Sequence, residues 1–232
     1  MPQHPVVDHP QWLQARMDLL AKEKEFTRLR DELSRRRREL PWETVETDYR
    51  FTSEHGAVSL AELFAGKSQL IVHHFMFHPD WSEGCKSCSF WADQYDGIGI
   101  HLKHRDIALA AVSRAPFAKL AAYKARMGWK FPWVSCEGTT FNHDYYAAFT
   151  PAQVASGGAL FNYRETKPWG EDVVGMSVFV KDDGAIYHTY SAYSRGVDIL
   201  NAAYNFIDLT PKGRDEGGRN QFWVRRHDQY ED

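Results

Sequence analysis

Three features are scarce in this chain of 232 residues: long apolar runs, cysteines and net charge. No apolar run approaches the ~20 residues that cross a membrane, so we expect neither a membrane span nor a membrane partner. The net charge of −3 gives no overall attraction to nucleic acid, and we expect no nucleic-acid partner. Residues 1–18 lack the apolar core of a secretory signal, which favours a cytoplasmic protein.

The three cysteines are too few for a framework of structural disulfides. Two of them, Cys85 and Cys88, are separated only by Lys86 and Ser87. In a reducing compartment, a close pair of cysteines is more often catalytic, redox-active or metal-binding than structural. The first functional question is therefore whether this protein carries out thiol chemistry.

The cysteine pair lies between a predicted strand and a predicted helix. Residues 70–77 form an apolar run typical of a buried strand, and residues 89–95 continue as a helix. A C-x-x-C at such a junction is the thioredoxin-like redox arrangement. The positive end of the helix favours a thiolate. We therefore expect Cys85, nearer to solvent, to be the attacking thiol and Cys88, one turn further, to be the resolving thiol.

The chain divides into three predicted parts. Residues 1–40 form an N-terminal helical extension, because apolar residues recur at helical spacing over residues 9–40 and Pro41 follows. Residues 41–210 form the main domain. Residues 211–232 are charged, contain glycine and are predicted to be a C-terminal tail.

Within the main domain, strands alternate with helices. A strand, a turn and a returning strand over residues 49–60 precede a short helix capped by Ser59. Strands are predicted at 70–77, 107–113 and 131–135, and helices at 90–102, weakened by Gly97 and Gly99, and at 116–127. A loop at 157–170, a hairpin over 173–190 and a helix at 196–209 complete the order. This order predicts an α/β fold with a thioredoxin-like mixed central sheet flanked by helices.

Two longer stretches and the cysteine motif resemble known families. The segments Y-R-F-T-S-E-H-G-A-V-S-L and D-I-A-L-A-A-V-S, with the later F-P-W-V-S, resemble peroxiredoxins. The chain as a whole, above all F-M-F-H-P-D-W-S-E-G-C-K-S-C-S-F-W-A-D and Y-S-R-G-V-D-I-L-N-A-A-Y, resembles a bacterial thioredoxin-like family known as domain of unknown function 899. The resemblance covers nearly all of the chain and implies a thioredoxin-like fold.

The sequence departs from the standard motifs of both relatives. Thioredoxins carry Trp directly before the first cysteine, where this chain has Gly84, and they carry a proline where residues 174–178 have none. In the peroxiredoxin pattern, Ser82 stands in the place of the threonine, but Pro79 lies one position too close to Cys85. Neither ordinary thioredoxin docking nor the full peroxidase pattern is therefore implied.

Several further side chains are candidates to support the pair. Trp81 is a candidate wall of a pocket, and Lys86 adds positive charge beside the sulfur atoms. Arg114 follows the second buried strand, where a guanidinium can hold an anion or a peroxide oxygen. Cys136 follows the third strand and is a candidate resolving or regulatory thiol. Core packing, a surface ion pair and a free cysteine are the alternative interpretations.

The sequence favours a thiol-disulfide oxidoreductase that acts on a thiol or disulfide substrate and needs no cofactor. One alternative is a thiol peroxidase that uses Cys85. Another is a non-catalytic binding protein with a metal at the cysteine pair, since His73, His74 and His78 precede it. Neighbouring strand residues point to opposite faces, so at most one of the first two histidines faces the cysteines. The apolar stripe of the N-terminal helix also suggests a homodimer.

Overall fold

The computed structural model describes residues 4–231, which form two compact units that meet in the chain at Pro41 and Trp42. The first unit consists of α1 (His9–Arg38), which begins at Asp8, whose side chain accepts a hydrogen bond from the backbone N–H of Gln11. No residue of α1 is buried. The helix that the sequence predicts over residues 9–40 is thus observed, and it ends two residues earlier than predicted, at Arg38.

The second unit contains a mixed sheet of eight strands in the order β1-β10-β9-β4-β5-β6-β2-β3. Their bounds are β1 (Glu43–Thr44), β2 (Arg50–Ser53), β3 (Gly56–Ser59), β4 (Gln69–His74), β5 (Ile107–Ser113), β6 (Trp133–Ser135), β9 (Gly175–Asp182) and β10 (Ala185–Tyr193). Strands β4, β5 and β6 pair in parallel, and every other pair in the sheet is antiparallel. The thioredoxin-like mixed sheet that the sequence predicts is confirmed.

Helices cover the sheet, and their bounds follow local sequence signals. They are α2 (Leu60–Leu63), α3 (Lys86–Ala92), α4 (Tyr95–Lys103), α5 (Phe117–Arg126), α6 (Phe141–Asp144), α7 (Pro151–Ser156) and α8 (Ala202–Ile207). Ser59 and Glu62 form a capping box at α2, as the predicted cap requires. No helix within residues 4–231 is both long enough and apolar enough to span a membrane.

Two predicted helices are interrupted in the structure. The predicted helix at 90–102 is split between α3 and α4, and its break lies at Asp93 and Gln94 rather than at the glycines. Asp93 accepts a hydrogen bond from Trp129 Nε1 at 2.9 Å, and Gln94 accepts one from the backbone of Ala202 at 3.2 Å. The break therefore lies where Asp93 and Gln94 make tertiary contacts. The helix α4 continues through Gly97 and Gly99, because a glycine inside a helix costs only about 1 kcal/mol.

The predicted helix at 196–209 is also divided. A 3₁₀ helix (Ser194–Leu200) ends at Asn201, which then caps α8 by accepting a hydrogen bond from Tyr204 N at 3.0 Å. Asparagine is among the strongest residues at a helix start, so it begins a new helix here.

The predicted loop at 157–170 contains a small hairpin of its own. Strands β7 (Ala159–Phe161) and β8 (Arg164–Thr166) pair antiparallel. Asn162 and Tyr163 join them with φ angles of 50° and 62°. Two consecutive positive φ angles are typical of a tight hairpin turn, and Asn at the first position is its sequence signal.

The central sheet separates two apolar clusters. Alternation along β4 sends Leu70 and Val72 into one cluster, with Phe64 and Phe179. The other cluster contains Phe75, Phe77, Trp91, Tyr95, Tyr123 and Trp133 together with Cys88. The cysteine pair therefore lies on the second face, at the end of β4.

Residues 211–231, which the sequence predicts to be a tail, lie in the same compact unit as the sheet. They run mostly through turns, and Val224 is 0% exposed. The half-buried indole of Trp223 packs on Phe90, with ring centroids 5.5 Å apart. This segment therefore reaches the helix that carries the cysteine pair.

Candidate thiol site

The loop after β4 sets the position of Cys85. The backbone N–H of Cys85 donates to the carbonyl of Met76 at 3.0 Å, which turns the chain back before α3 begins. Cys85 stands at the N-cap of α3 with φ −54° and ψ 128°, and its carbonyl accepts the first intrahelical bond from Ser89 N at 2.9 Å. A sulfur atom at this position faces the unpaired N–H groups of the first helical turn.

Cys85 is the more accessible thiol of the pair, and its pKa is lowered. It is partly exposed, and the Cys88 thiol donates a hydrogen bond to it. This bond, helped by the backbone N–H groups of Cys88 and Ser87, lowers the pKa of Cys85 to about 6 against the opposing effect of burial. The lowered pKa favours the thiolate, the form that attacks a disulfide or a peroxide.

Cys88 has the opposite character. It is 1% exposed, and its sulfur accepts a hydrogen bond from Met76 N at 3.4 Å. Burial raises the pKa of Cys88 well above its ordinary value, and the hydrogen bond to Cys85 acts in the same direction. The pKa values of the two thiols are thus shifted in opposite directions, so the fold distinguishes the two thiols before any substrate arrives.

Gly84 fills the position where thioredoxins carry Trp, and a close contact explains the residue. A Cβ atom on Gly84 would lie 2.8 Å from Cε1 of Phe75 and 3.0 Å from Cε1 of Tyr123. Both rings belong to the core on this face of the sheet. A larger residue before Cys85 would therefore force one or both rings to shift.

The predicted supporting residues are placed unequally. Trp81 is 37% exposed and lies near His78, with ring centroids 6.2 Å apart, while Ser82 is exposed. The ammonium group of Lys86 donates to the carbonyl of Gln221 at 3.2 Å. Lys86 therefore binds the C-terminal segment from a position directly beside Cys85.

Arg114 belongs to a cluster of charged side chains that the sequence did not reveal. Its guanidinium donates to Asp172 Oδ1 at 2.8 Å and to Glu171 Oε2 at 3.3 Å, and His78 Nε2 contacts the same Glu171 oxygen at 3.0 Å. The hydrogen bond from His78 holds the pKa of Glu171 below its usual range. Two carboxylates thus accept hydrogen bonds from the guanidinium that the sequence predicted as a candidate anion site.

Asp172 is the buried member of this cluster. It is 4% exposed, and burial raises its pKa. Its Oδ2 atom is buried and has no hydrogen-bond partner among the described residues. The negative charge of Asp172 also raises the pKa values of Cys88 and Cys136. Nothing local in the sequence distinguishes Asp172 from other surface-type acidic residues.

Cys136 lies in the other apolar cluster, across the sheet from Cys88. It is 1% exposed, and burial raises its pKa to about 12. The structure therefore does not bring this third thiol together with the pair on one face.

His73 and His74 point to opposite faces, as the strand alternation predicts. His73 Nδ1 contacts Tyr95 Oη at 2.9 Å on the face of the cysteine pair, and His74 contacts Asn142 and Ser177 on the other face. Burial lowers their pKa values to about 3 and about 4. Within residues 4–231, no group of three or more His, Cys, Asp or Glu side chains is arranged to hold a metal ion.

Comparisons with solved structures find peroxiredoxin Q from Xanthomonas campestris, with 9% identity, a TM-score of 0.46, and coverage of 71% of this chain and 93% of that one. A mutant of PrxQ from Xylella fastidiosa has 9% identity and a TM-score of 0.46, with coverage of 71% and 95%. Peroxidoxin BcpB from Mycobacterium tuberculosis has 14% identity and a TM-score of 0.44, with coverage of 72% and 97%.

Among curated proteins, the comparison found no match. The model of one protein family does match, over residues 1–230, and its description is "Bacterial protein of unknown function (DUF899)". This match spans almost the whole chain and confirms the family resemblance that the sequence motifs indicated. The chain therefore belongs to the DUF899 family.

Proposed function

We propose that this protein is a thiol-disulfide oxidoreductase in which Cys85 attacks and Cys88 resolves. The observation that carries the proposal is the asymmetry of the pair: a partly exposed thiol with a pKa of about 6 beside a buried thiol that stays protonated. A low-pKa, accessible thiolate with a second thiol in hydrogen-bond contact is the arrangement that exchange requires.

The reaction transfers two electrons from the dithiol to a disulfide. The Cys85 thiolate attacks one sulfur of the substrate, a mixed disulfide forms, and the other substrate sulfur leaves as a thiolate that takes up a proton. Cys88 then loses its proton to solvent or to the leaving thiolate and attacks Cys85 Sγ. The Cys85–Cys88 disulfide forms, the second substrate thiol is released, and a thiol reductant of the cell restores the dithiol.

The first test measures disulfide formation and exchange directly. The reduced protein is mixed with a peptide that contains one disulfide, and the products are followed by mass spectrometry after alkylation. We expect oxidation confined to Cys85 and Cys88, a Cys88→Ala variant trapped as a mixed disulfide on Cys85, and an inert Cys85→Ser variant. Cys136→Ser is the matched control and should react like the parent.

The same sample distinguishes the other candidate functions. Turnover of peroxide much faster than of any disulfide would make Cys85 a peroxidase thiol. Stoichiometric zinc, with thiols that resist alkylation until a chelator is added, would indicate a metal site. Thiols that react with neither oxidant, in a sample free of metal, would contradict the proposal.

A further inference from the structure

The last part of the C-terminal segment, residues 219–231, contacts the residues directly before Cys85. The guanidinium of Arg226 donates from Nη2 and Nε to the carbonyl of Gly84, at 2.7 Å and 3.2 Å. Its Nη1 atom also pairs with Glu83 Oε2 at 2.9 Å. The Arg226 side chain is only 16% exposed, so these bonds are largely shielded from water. A residue far away in the chain thus holds the peptide group that enters Cys85.

A second path runs from Arg226 to the carbonyl of Cys85 itself. Arg226 Nε donates to Tyr123 Oη at 2.9 Å, and Tyr123 Oη lies 2.8 Å from Ser89 Oγ. Ser89 Oγ donates to the Cys85 carbonyl at 2.9 Å. Each hydroxyl carries one proton, and the last acceptor is a carbonyl. The Tyr123 proton therefore points to Ser89, and its lone pair accepts from Arg226.

The segment that carries Arg226 is anchored independently of these bonds. Val224 is fully buried, and the Trp223 indole packs against Phe90 of α3. Lys86 binds the carbonyl of Gln221 at 3.2 Å, so the segment contacts α3 both at Lys86, between the two cysteines, and at Phe90, after them. Arg226 is thereby held in place by the core of the domain.

We propose that Arg226 is a positioning residue for Cys85. It holds the carbonyl of Gly84 directly and that of Cys85 through Tyr123 and Ser89. These two carbonyls flank Cys85 on both sides, so Arg226 fixes the backbone that points Sγ toward the first turn of α3. The inference rests on the proposed function, because it assigns a residue that supports the same thiol without touching its sulfur.

The chemistry of the guanidinium explains why arginine occupies this position. Its planar fork donates to a carbonyl, a phenol and a carboxylate at once, and it stays charged at every physiological pH. A lysine ammonium carries its three N–H donors on one nitrogen atom, and it cannot span the three acceptors. Several titratable and charged groups surround this loop: Glu83, Lys86, Cys88, Lys119, Tyr123, Arg126, Asp172 and Asp228.

The test compares Arg226→Gln and Arg226→Lys with a matched control in the same segment. Arg225→Gln removes the same charge one residue earlier, where the guanidinium donates to the carbonyls of Phe222 and Val224 and, within residues 4–231, to no group before Cys85. The readout is the ultraviolet absorbance of the Cys85 thiolate against pH, with thermal unfolding as a check of folding. We expect both Arg226 variants to raise the midpoint by about one pH unit and to slow alkylation at pH 6 by ~5-fold. Arg225→Gln should leave both unchanged.

A midpoint in Arg226→Gln equal to that of the parent and of Arg225→Gln would overturn the inference. Should the Arg226 variants fail to fold, Tyr123→Phe breaks only the path through Ser89 and should shift the midpoint in the same direction. The titration needs no substrate. A shifted midpoint in a protein that exchanges no disulfide would therefore refute the proposed function alone, and an unshifted midpoint in an active protein would refute only the role of Arg226.

Discussion

Cys85 and Cys88 have the same side chain, and their surroundings make them chemically different. Cys85 gains a hydrogen bond and faces helix N–H groups, whereas Cys88 is enclosed by the core. The sequence predicted different roles for the two thiols from their order at a helix start, and those roles stay predictions. The pKa difference itself depends on burial, which only the packed structure determines.

Replacing Cys88 tests how far its hydrogen bond activates Cys85. In Cys88→Ala we expect the pKa of Cys85 to rise from about 6 toward the ordinary value of about 8.5, because the largest cause of its low pKa is removed. The measurement is the thiolate absorbance of the reduced protein against pH. Cys136→Ala should leave the curve unchanged, and an unchanged midpoint in Cys88→Ala would contradict this account.

Gly84→Ala tests the close approach before Cys85. The added Cβ atom meets two core rings at 2.8 Å and 3.0 Å, so we expect a loss of about 1–3 kcal/mol in the free energy of unfolding. Unfolding in urea measures it. Gly97→Ala is the matched control: it lies inside α4 with no atom within 4 Å of the added methyl, and should be neutral or stabilising by up to about 1 kcal/mol. Equal stability of the two variants would show that the contact is relieved without cost.

Among the elements, strands β4, β9 and β10 are joined by a chain of side-chain hydrogen bonds as well as by their backbones. His74 Nε2 contacts Ser177 Oγ at 2.8 Å, Ser177 contacts Ser191 at 2.7 Å, and Ser191 contacts His188 Nε2 at 2.7 Å. His74, Ser177 and Ser191 are buried. This polar chain lies on the face opposite the cysteine pair and adds specificity to the pairing of the strands.

Ser177→Ala removes the middle of this chain and leaves His74 Nε2 and Ser191 Oγ without that partner. Buried polar groups that lose a hydrogen bond destabilise a protein by about 1–3 kcal/mol each, so we expect a loss of that order. Calorimetry or urea unfolding measures it. Ser156→Ala, in an exposed turn of α7, should change stability by less than about 0.5 kcal/mol. A Ser177→Ala protein as stable as the parent would mean that the chain contributes nothing.

Element boundaries were predicted best where their signals are local. The strand at Ile107–Ser113 has the predicted bounds, because a continuous apolar run between polar residues needs no distant partner to be recognised. The break between α3 and α4 was misplaced, because it depends on the contacts of Asp93 and Gln94 with residues that lie far away in the chain. Helix propensity alone pointed to the glycines.

For the whole molecule, the low pKa of Cys85 links folding to pH. A thiol whose pKa is about 6 when folded and about 8.5 when unfolded stabilises the reduced fold above pH 8.5, and this stabilisation is lost as the pH falls through 6. The slope is at most about 1.4 kcal/mol per pH unit inside that window. The pKa of Cys88 is raised in the folded protein, so Cys88 destabilises the reduced fold only above the pKa that it has when unfolded.

We therefore expect the reduced parent to gain about 1–3 kcal/mol over Cys85→Ser between pH 6 and pH 8. Urea unfolding of both proteins at the two pH values, with reductant present, gives the difference. The subtraction removes the contribution of every shared titrating group whose pKa does not depend on Cys85. A difference that stays constant, or that shrinks as the pH rises, would contradict the low pKa.

The expected homodimer, the cytoplasmic location and the thiol or disulfide partner stay predictions. Sedimentation over a range of concentrations tests the first: a monomer at every concentration would exclude it. The exposed apolar residues of α1, such as Trp12, Leu19 and Phe26, are the reason to perform that measurement.

The sequence by itself determined the fold class and the location of the thiol pair. Apolar periodicity, turn residues and a C-x-x-C at a strand-helix junction are local signals. They can be recognised without knowing which distant segments pack against them. Only the tertiary structure decided what surrounds the pair: Gly84 against two rings, the buried charge of Asp172 that raises the pKa of Cys88, and Arg226 on the carbonyl before Cys85. Many arginines and aspartates in the chain look alike in sequence. Which of them influences the thiol site is set by packing and topology, because these interactions join segments that are remote in the chain.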